Sequence, residues 1–520
     1  MIVSKRHQAL VLKLRDPNRV TSVIPGAKLI KHKGSTFVAV RHRLDEVKIL
    51  RNIGIEAPSP ILHYYDWPGR FKPFSAQREA AAFMSMHNRA FNLSDMGTGK
   101  TLATLWAYDY LRSIGKVNKM LVISPLSTLE RTWADEVFNH FPHLTVVTLY
   151  GSKEKRLKML NVDADIYLIN HDGIKVKGFV EAMTERKDIN LIVVDEISQM
   201  ARNASTDRFK SLQKLIKTTP PRLAWGLTGT PTPNAPTDAW AQCRLLVPEK
   251  VPLYFAKFKA AVMKQVSTFK WIARPIAMDI VHEVMRPAIR FTRDECVDLP
   301  PCTYVTRQAE LTAPQQKAFS DMVTKLKAEI DSGKVTAANE AVKAQKLIQI
   351  ACGVIYGSEG EELELDATPR LEVVREVCEE ASTKIIVFVP FVSVINKVAS
   401  YLKDHGFTVE IIHGGVSQAE RSRIFGEFQK AEDPKIIVAQ PACMSHGLTL
   451  TSASTMIWYA PITSCDTYLQ ACARITRPGQ KHNQLIVNIE GTKIEQKYYK
   501  RLIEKESTQG ILLDLVKDNR

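Results

Sequence analysis

Residues 94–101, SDMGTGKT, have the types and spacing for holding phosphate: they fit Gly-x-x-x-x-Gly-Lys-[Ser/Thr] with Ser94 in place of the first glycine. Gly97 and Gly99 let the backbone approach an anion and turn its N–H groups inward. Lys100 supplies a point charge for β- and γ-phosphates, and Thr101 offers a hydroxyl to Mg²⁺. Asp95, Met96, Gly97, Thr98, Gly99, Lys100 and Thr101 together form the candidate nucleotide cradle. The following TLATLWAYDYLRSIG reads as a helix, so the loop sits at a helix N-terminus, where an anion is favoured. The alternative is a plain Gly-rich turn before a helix.

LIVVDE (191–196) ends a buried type of strand in Asp195 and Glu196, costly residues to place there without a task. Asp195 can hold Mg²⁺ through water while Glu196 polarises an attacking water. Alone, the pair could instead cap the next helix. With the phosphate loop it indicates hydrolysis of a nucleoside triphosphate. Guanine recognition would call for Asn-Lys-x-Asp, but the Asn-Lys pairs continue as Asn118-Lys119-Met120-Leu121 and Asn396-Lys397-Val398-Ala399, so ATP is favoured. Farther on, QACARITRPGQ (470–480) sets Arg474 and Arg477 three apart, on one face of an expected helix that Pro478 ends. They are either solvated surface or cations presented to the phosphates as arginine fingers.

Positioning these groups requires a scaffold, and the hydrophobic rhythm describes one. MLVISP (120–125), TVVTLY (145–150), DIYLIN (165–170), LIVVDE (191–196) and LAWGLTG (223–229) read as short apolar strands, most of them separated by helical patterns. KIIVFVP (384–390), TVEIIHG (408–414), KIIVAQ (435–440), TMIWYA (455–460) and QLIVNIE (484–490) repeat the grammar. The expected fold class is α/β, with parallel sheets covered on both faces in two tandem lobes. The lobes are expected at 71–248 and 301–520, with a helical insertion or linker at 249–300 and a helical protrusion at 301–370. Residues 1–70 read instead as a small basic α+β domain. ALVLKL alternates, AKLIKHKGSTFVAVRH forms two strands joined at Lys33-Gly34-Ser35, and LDEVKILRNIG is a helix ending at Gly54. The Pro- and Gly-rich APSPILHYYDWPG then marks a boundary.

At 520 residues the chain is too long for one core, and 45% hydrophobic with 24% charged residues excludes a disordered or collagen-like protein. The net charge of +16 argues for a polyanionic partner, with anionic membrane or solubility as alternatives. Residues 1–70 hold 13 Lys/Arg against 5 Asp/Glu, half of the surplus. The eight cysteines show no Cys-x-x-Cys pair or Cys/His cluster, which points away from a disulfide frame or zinc site. No signal peptide or membrane span is evident, so a soluble, cytoplasmic protein is expected.

In chain order the segments resemble the motors of helicase superfamily two, in the Swi/Snf branch of DNA translocases. Gln77, within FKPFSAQREAAAFM, matches the adenine-reading glutamine, DMGTGKT (95–101) motif I, and ISPLSTLERTWADEVFNHF (123–141) motif Ia. VVDEIS (193–198) resembles motif II, LTGTPTPN (227–234) motif III, and IRFTRDECVDLPP (289–301) the segment leading to the second lobe. HGGVSQAERSRIFGEF (413–428) and SHGLTLTSASTMIWYAP (445–461) resemble the later motifs, QACARITRPGQ motif VI, and KIEQKYYKRL (493–502) the closing helix. Departures exist. Ser198 stands where the family usually has His, Pro478 where isoleucine is common, and Ser94 where acid or alanine is. None removes a catalytic group.

The resemblance implies two RecA-like lobes, ATP and Mg²⁺ as cofactors, and a DNA-dependent ATPase tracking along one strand of duplex. It implies catalytic roles for Lys100, Asp195, Glu196, Arg474 and Arg477, metal contact by Thr101 and Asp195, and nucleotide contact by Gln77 and Gly447. Phosphate grips fall to Ser127 and Thr128 in the first lobe and to Thr449 and Thr451 in the second, each of which could also be a turn or cap residue. The N-terminal order resembles the HepA-related domain that annealing helicases carry before such a motor. That implies recognition of branched DNA through Lys28, Lys31, Lys33, Arg41 and Arg43; the alternative is a solvated basic sheet. Three readings follow: a remodeller of forked or branched DNA acting in replication, recombination or repair, a translocase that displaces proteins from duplex, and a DNA-binding scaffold clamped by ATP. A monomeric motor with replication or recombination partners, of bacterial or viral origin, is the expectation.

Overall fold

The structure, a computed structural model, describes the chain except residues 33, 219–221, 267–270, 297–299, 332–336, 357–360, 445–449, 477–479 and 505–520. The chain divides into two compact units, one of Met1–Thr232 with Pro236–Val297 and one of Pro233–Ala235 with Asp298–Arg520.

The first unit opens on β1 (Ile2–Ser4), β2 (Ala9–Leu12), β3 (Lys28–His32) and β4 (Ser35–Arg41), an antiparallel sheet in the order β1-β2-β4-β3. Alternation buries Leu10, Leu12, Val38 and Val40 on one face. The helix Leu44–Asn52 buries Leu44, Val47 and Leu50 in the same core. Its end is a turn in which Gly54, at φ +79°, donates to the Arg51 carbonyl, as the Gly54 stop requires.

The expected boundary after this sheet is not a free linker. Tyr65 Oη donates to Asp109 Oδ2 at 2.5 Å, Trp106 Nε1 donates to the Pro68 carbonyl at 2.8 Å, and Lys116 pairs with Asp45 at 2.7 Å. One apolar core runs from Leu10 and Val38 through Ile61 and Trp67 to Trp106 and Trp133. The separate 1–70 domain expected from composition thus gives way to a subdomain sharing the first unit's core. A chain of about 70 residues buries too little apolar surface to be comfortable alone, and the proline-containing stretch is where it docks.

The larger sheet of this unit comprises β5 (Arg89–Asn92), β6 (Lys119–Ser124), β7 (Val146–Thr148), β8 (Ile166–Asn170), β9 (Ile189–Asp195) and β10 (Leu223–Leu227). The hairpin β11 (Met263–Gln265) with β12 (Trp271–Ala273) follows, and β13 (Ala288–Ile289) completes the sheet as β13-β5-β10-β9-β6-β8-β7, with every pairing parallel. β5 escapes the hydrophobic pattern because it is four residues long and bounded by Arg89 and Asn92. Because β13 pairs with β5, the stretch expected as linker at 249–300 supplies a sheet edge, and the first unit reaches Val297.

The second unit contains β14 (Cys302–Gln308), a hairpin of β15 (Val354–Tyr356) and β16 (Glu362–Glu364), β17 (Lys384–Phe388), β18 (Val409–Ile412), β19 (Ile436–Ala439), β20 (Ala453–Trp458) and β21 (Gln484–Glu490). Its parallel sheet runs β14-β21-β20-β17-β19-β18. β14 lies in the stretch expected to be helical; as an edge strand with mostly exposed side chains it lacks an apolar signature. Helices Ala313–Asp331 and Ala337–Ala351 follow it in that stretch. Inside the unit, Arg370 meets Glu495 Oε1 at 2.8 Å, both side chains sealed from solvent, and this pair joins the helices Thr368–Glu380 and Lys493–Ile503. The two parallel sheets are the pair of RecA-like α/β lobes that the strand rhythm and resemblance led us to expect. Among the described residues no helix is long and apolar enough to cross a membrane.

Candidate nucleotide site

Strand order brings the two sequence-distant chemical segments together. β10 lies between β5 and β9, with Leu227 level with Asn92 on one side and Asp195 on the other. At about 4.8 Å per strand, the loop after β5 and the acids after β9 emerge about 10 Å apart at one sheet edge. Thr228 and Gly229, which follow β10, fill the space between.

The loop needs its glycines. Gly97 and Gly99 have φ of +82° and +76°, and a Cβ on Gly99 would stand 2.0 Å from Gln77 Nε2. Gln77 is buried, and its Oε1 accepts from the Phe74 N–H at 3.0 Å, so the amide nitrogen is held toward the loop. Lys100 Nζ donates to the carbonyls of Ser94 and Asp95 at 2.8 and 3.1 Å, and Thr98 Oγ1 donates to the Asp95 carbonyl at 2.8 Å. A Cβ on Gly229 would meet the Met96 backbone nitrogen at 3.2 Å and Lys100 Nζ at 3.5 Å. Only a residue without a side chain leaves that cradle open. Thr101 occupies the first turn of the helix Lys100–Ser113, half-buried.

A clasp not expected from sequence holds the loop from the other side. Phe291 donates its N–H to Ser94 Oγ at 3.2 Å and accepts from the Asp95 N–H at 2.9 Å, while Arg290 lies 3.5 Å from Asp95 Oδ1. Ser94, the departure from the family pattern, thereby gains a bond that alanine could not make. Phe291 and Cys296 line a small pocket with Gln77 and Lys100, and burial raises the Cys296 thiol pKa.

The carboxylates are fixed by neutral donors. Asp195 Oδ2 accepts from Ser124 Oγ and Trp133 Nε1, both at 3.0 Å, and Oδ1 from the Glu196 N–H at 3.1 Å. Trp133 belongs to a π-helical turn, Leu129–Ala134, an irregularity that concentrates at functional sites. The Asp195 carbonyl lies 2.9 Å from His171 Nε2, which must carry the proton to donate. Burial lowers the His171 pKa, opposed by that bond. Glu196 sits at φ +49°, ψ +52°, a left-handed conformation unusual for glutamate and of the kind found at active sites. Thr228 Oγ1 donates to Glu196 Oε2 at 3.4 Å and accepts from Ser198 Oγ at 2.9 Å. Ser198, in the usual His position, thus joins Glu196 to the segment after β10. His171 could have been suspected from its place directly after a strand; Ser124 and Trp133 carried no such signal.

Other expected positions fare differently. Thr128 is buried and its hydroxyl engages Ser124 Oγ and, at 2.8 Å, the Pro125 carbonyl. The 3₁₀ turn Leu126–Thr128 folds this hydroxyl, expected as a phosphate grip, inward beside the Asp195 shell. Ser127 lies in the same turn, and its side chain is outside the described residues. In the second unit the helix Cys465–Cys472 ends before Arg474, so Arg474 lies beyond the helix expected to carry it. Thr476 Oγ1 takes the Cys472 carbonyl at 3.3 Å and Gln480 Nε2 the Ile475 carbonyl at 3.0 Å, replacing further helical turns. Arg474 is buried there. Thr451 Oγ1 accepts from Gln429 Nε2 at 3.4 Å. Lys33, Gly447, Thr449 and Arg477 lie outside the described residues.

In the N-terminal sheet, register separates the expected phosphate contacts. Lys31 pairs with Thr36 and shares the face of Val38 and Val40; Lys28 pairs with Ala39 and shares the opposite, open face with Phe37 and Arg41. Arg43 lies outside the strands as the exposed N-cap of the helix Leu44–Asn52.

Comparison with known proteins adds to this geometry. The SNF2-related domain matches residues 76–352 and the helicase conserved C-terminal domain residues 369–479. The chain is 24% identical over 452 residues to protein p41 of Acyrthosiphon pisum secondary endosymbiont phage 1, covering 81% of this chain and 94% of that one. It is 24% identical to the chromodomain-helicase-DNA-binding protein 1-like of Danio rerio and 23% to the ISWI chromatin-remodeling complex ATPase ISW1 of Saccharomyces cerevisiae. These matches cover 79% and 87% of this chain but only 40% and 41% of the two relatives. Among solved structures, the Sulfolobus solfataricus SWI2/SNF2 ATPase core in complex with dsDNA is 24% identical, with 87% of this chain and 93% of that one covered and a TM-score of 0.42.

Proposed function

The chain belongs to the SNF2-related family, whose domain spans more than half of its 520 residues, and on that premise we propose that it is an ATP-driven motor acting on forked or branched DNA. The protein is a DNA-dependent ATPase. The observation carrying the proposal is that a complete phosphate-loop and acid-pair geometry shares one compact unit and one apolar core with an open sheet face bearing Lys28, Phe37 and Arg41 and no carboxylate among its strand residues.

The residues divide the task by their chemistry. Lys100 exchanges its two loop carbonyls for phosphate oxygens, gaining a charged partner in place of neutral ones. The glycine cradle admits phosphate against backbone N–H groups, and Gln77 is positioned for the base. The donor set of Thr101 and Asp195, a hydroxyl and a carboxylate near the phosphate loop, fits Mg²⁺, which when bound offsets charge on the β- and γ-phosphates. Glu196 orients and deprotonates the attacking water, its carboxylate aimed by Thr228 and Ser198. Arg474 and Arg477 supply the cations of the second lobe. Phosphate contacts make DNA binding independent of sequence and sensitive to salt. The open face of the N-terminal sheet selects the DNA structure, with cations for phosphates and Phe37 for a base. The match to phage protein p41 supports a viral or bacterial origin.

The test is ATP turnover by the whole chain with single-stranded, blunt duplex and forked DNA at two salt concentrations, alongside a fork-regression assay. Forked DNA should stimulate most, and Lys28→Glu with Arg41→Glu should remove that preference while duplex-stimulated turnover persists. Deleting residues 1–70 would cut the shared core, so charge reversal is the cleaner probe. Equal stimulation by blunt duplex and fork, with removal of a duplex-bound protein, would favour the protein-displacing translocase.

A further inference from the structure

We propose that the β11–β12 hairpin, with the start of the helix Ala277–Val284 at its base, is a contact surface for unpaired DNA; the inference rests on reading the protein as a DNA-acting motor. Between residues 250 and 278 the sequence holds six Lys/Arg and no Asp or Glu. Around the hairpin, Val266, Ile272, Ile276 and Met278 are 56%, 44%, 56% and 43% exposed.

The two paired strands are braced rather than loose. Pairing sets Lys264 opposite Ile272, so both share one face, and Gln265 opposite Trp271 on the other. On the Trp271 face, Lys259 Nζ lies 3.8 Å from the centre of the indole, a contact that ties the hairpin to the helix Phe255–Val262. Arg274 Nε donates to the carbonyls of Ala260 and Met263 at 3.0 and 3.2 Å, and the Arg274 N–H to that of Val262 at 2.9 Å. Two cations are thus engaged in holding the projection, and Lys264 remains beside Ile272 on its other side.

Exposed aliphatic side chains on and beside a braced pair of strands mark a surface that receives a partner. The absence of carboxylate from 250–278 makes that partner an anion. Intact duplex presents sugars and phosphates and hides its base faces in the stack, so it would satisfy Lys264 and leave the aliphatic group wet. An unpaired strand presents both, phosphates to Lys264 and base faces to Ile272 and Val266, in the manner of apolar residues that enter opened base steps.

The experiment measures fluorescence anisotropy of labelled single-stranded, forked and blunt duplex oligonucleotides with the full chain and its variants Ile272→Asp, Ile272→Ser and Lys264→Glu. With Ile272→Asp and Ile272→Ser, affinity for single strand and fork should fall about tenfold, the range of one lost base contact, while blunt duplex changes less than twofold; Lys264→Glu, which removes a phosphate contact, should weaken all three. Unchanged thermal unfolding shows that each variant folds, and Ile272→Ser covers the case in which Asp disturbs the hairpin. Equal loss on all three DNAs in the Ile272 variants, or no loss on any, overturns the proposal. So does wild-type self-association in sedimentation that Ile272→Asp abolishes, which would make the surface an interface between copies. Duplex-stimulated ATP turnover of the wild type reports the motor reading separately, so either reading can fail without the other.

Discussion

The antiparallel N-terminal sheet and the seven-stranded parallel sheet of the first unit solve the placement of charge in opposite ways. The parallel sheet gathers its chemistry at one edge, where β5, β10 and β9 end level and deliver the phosphate loop, Thr228 and the acid pair to one spot. Each charged group there is met by a partner: Ser124 and Trp133 for Asp195, Thr228 for Glu196, and carbonyls of its own loop for Lys100. The antiparallel N-terminal sheet presents charge on a face instead, with Lys28 and Arg41 beside Phe37. Burial fixes geometry at the first, as catalysis needs. Exposure keeps the second able to meet a large anion, and weakens under salt.

Substitutions should separate the two sheets, beginning at the parallel edge. Lys100→Ala should lower ATP turnover about a hundredfold or more, since the replacement removes the charge from the phosphates and leaves DNA affinity without nucleotide near wild type. Glu196→Gln should cost turnover about a hundredfold or more while ATP binding, read by a fluorescent analogue, stays intact. Comparable turnover in either variant would show that the edge geometry is not the catalytic one.

At the antiparallel face the effects should be smaller and of another kind. Lys28→Glu or Arg41→Glu should reduce the salt dependence of DNA binding by about one unit of slope per lost phosphate contact, with DNA-free ATP turnover unchanged. Lys31→Glu, on the opposite face, should leave the slope closer to wild type. Identical slopes for the three variants would mean that the charge acts as a diffuse cloud and that the face has no particular role.

The smallest effect concerns pH. His171 is held neutral in the fold because burial lowers its pKa below the ordinary value of about 6.5. Its contribution to stability is therefore complete above about pH 6.5 and is lost as pH falls from there toward the lowered folded value. His171→Asn should unfold at a temperature that varies less between pH 7.5 and 5.5 than wild type, as thermal melts would show. An unchanged pH response would assign the acid sensitivity to other histidines whose pKa desolvation lowers, His42, His87 and His140.

Much of the parallel edge was legible because its parts are contiguous. SDMGTGKT and LIVVDE each carry their chemistry within eight residues, and their strands alternate with helices in a way that leaves few topologies. β5 and β14 were not legible: the first is too short, and the second, at a sheet edge, has no apolar pattern. The clasp of Ser94 and Asp95 by Phe291 joins positions almost two hundred residues apart, and no local rule announces it. Arg474 shows the reverse failure, since a helical spacing was present and the helix stopped short of it.

By itself the sequence determined the two-lobed α/β class, the phosphate loop, the acid pair and the uneven basic charge, because each depends on neighbouring residues or on composition. Only the tertiary structure decided that the N-terminal sheet shares the first unit's core and that Thr128 turns inward. It also decided which basic residues share a face. Those outcomes depend on register and on which distant groups are left to satisfy one another's hydrogen bonds. A one-residue shift in strand pairing would move Lys31 to the face of Arg41, and nothing in the order of the residues alone prevents it.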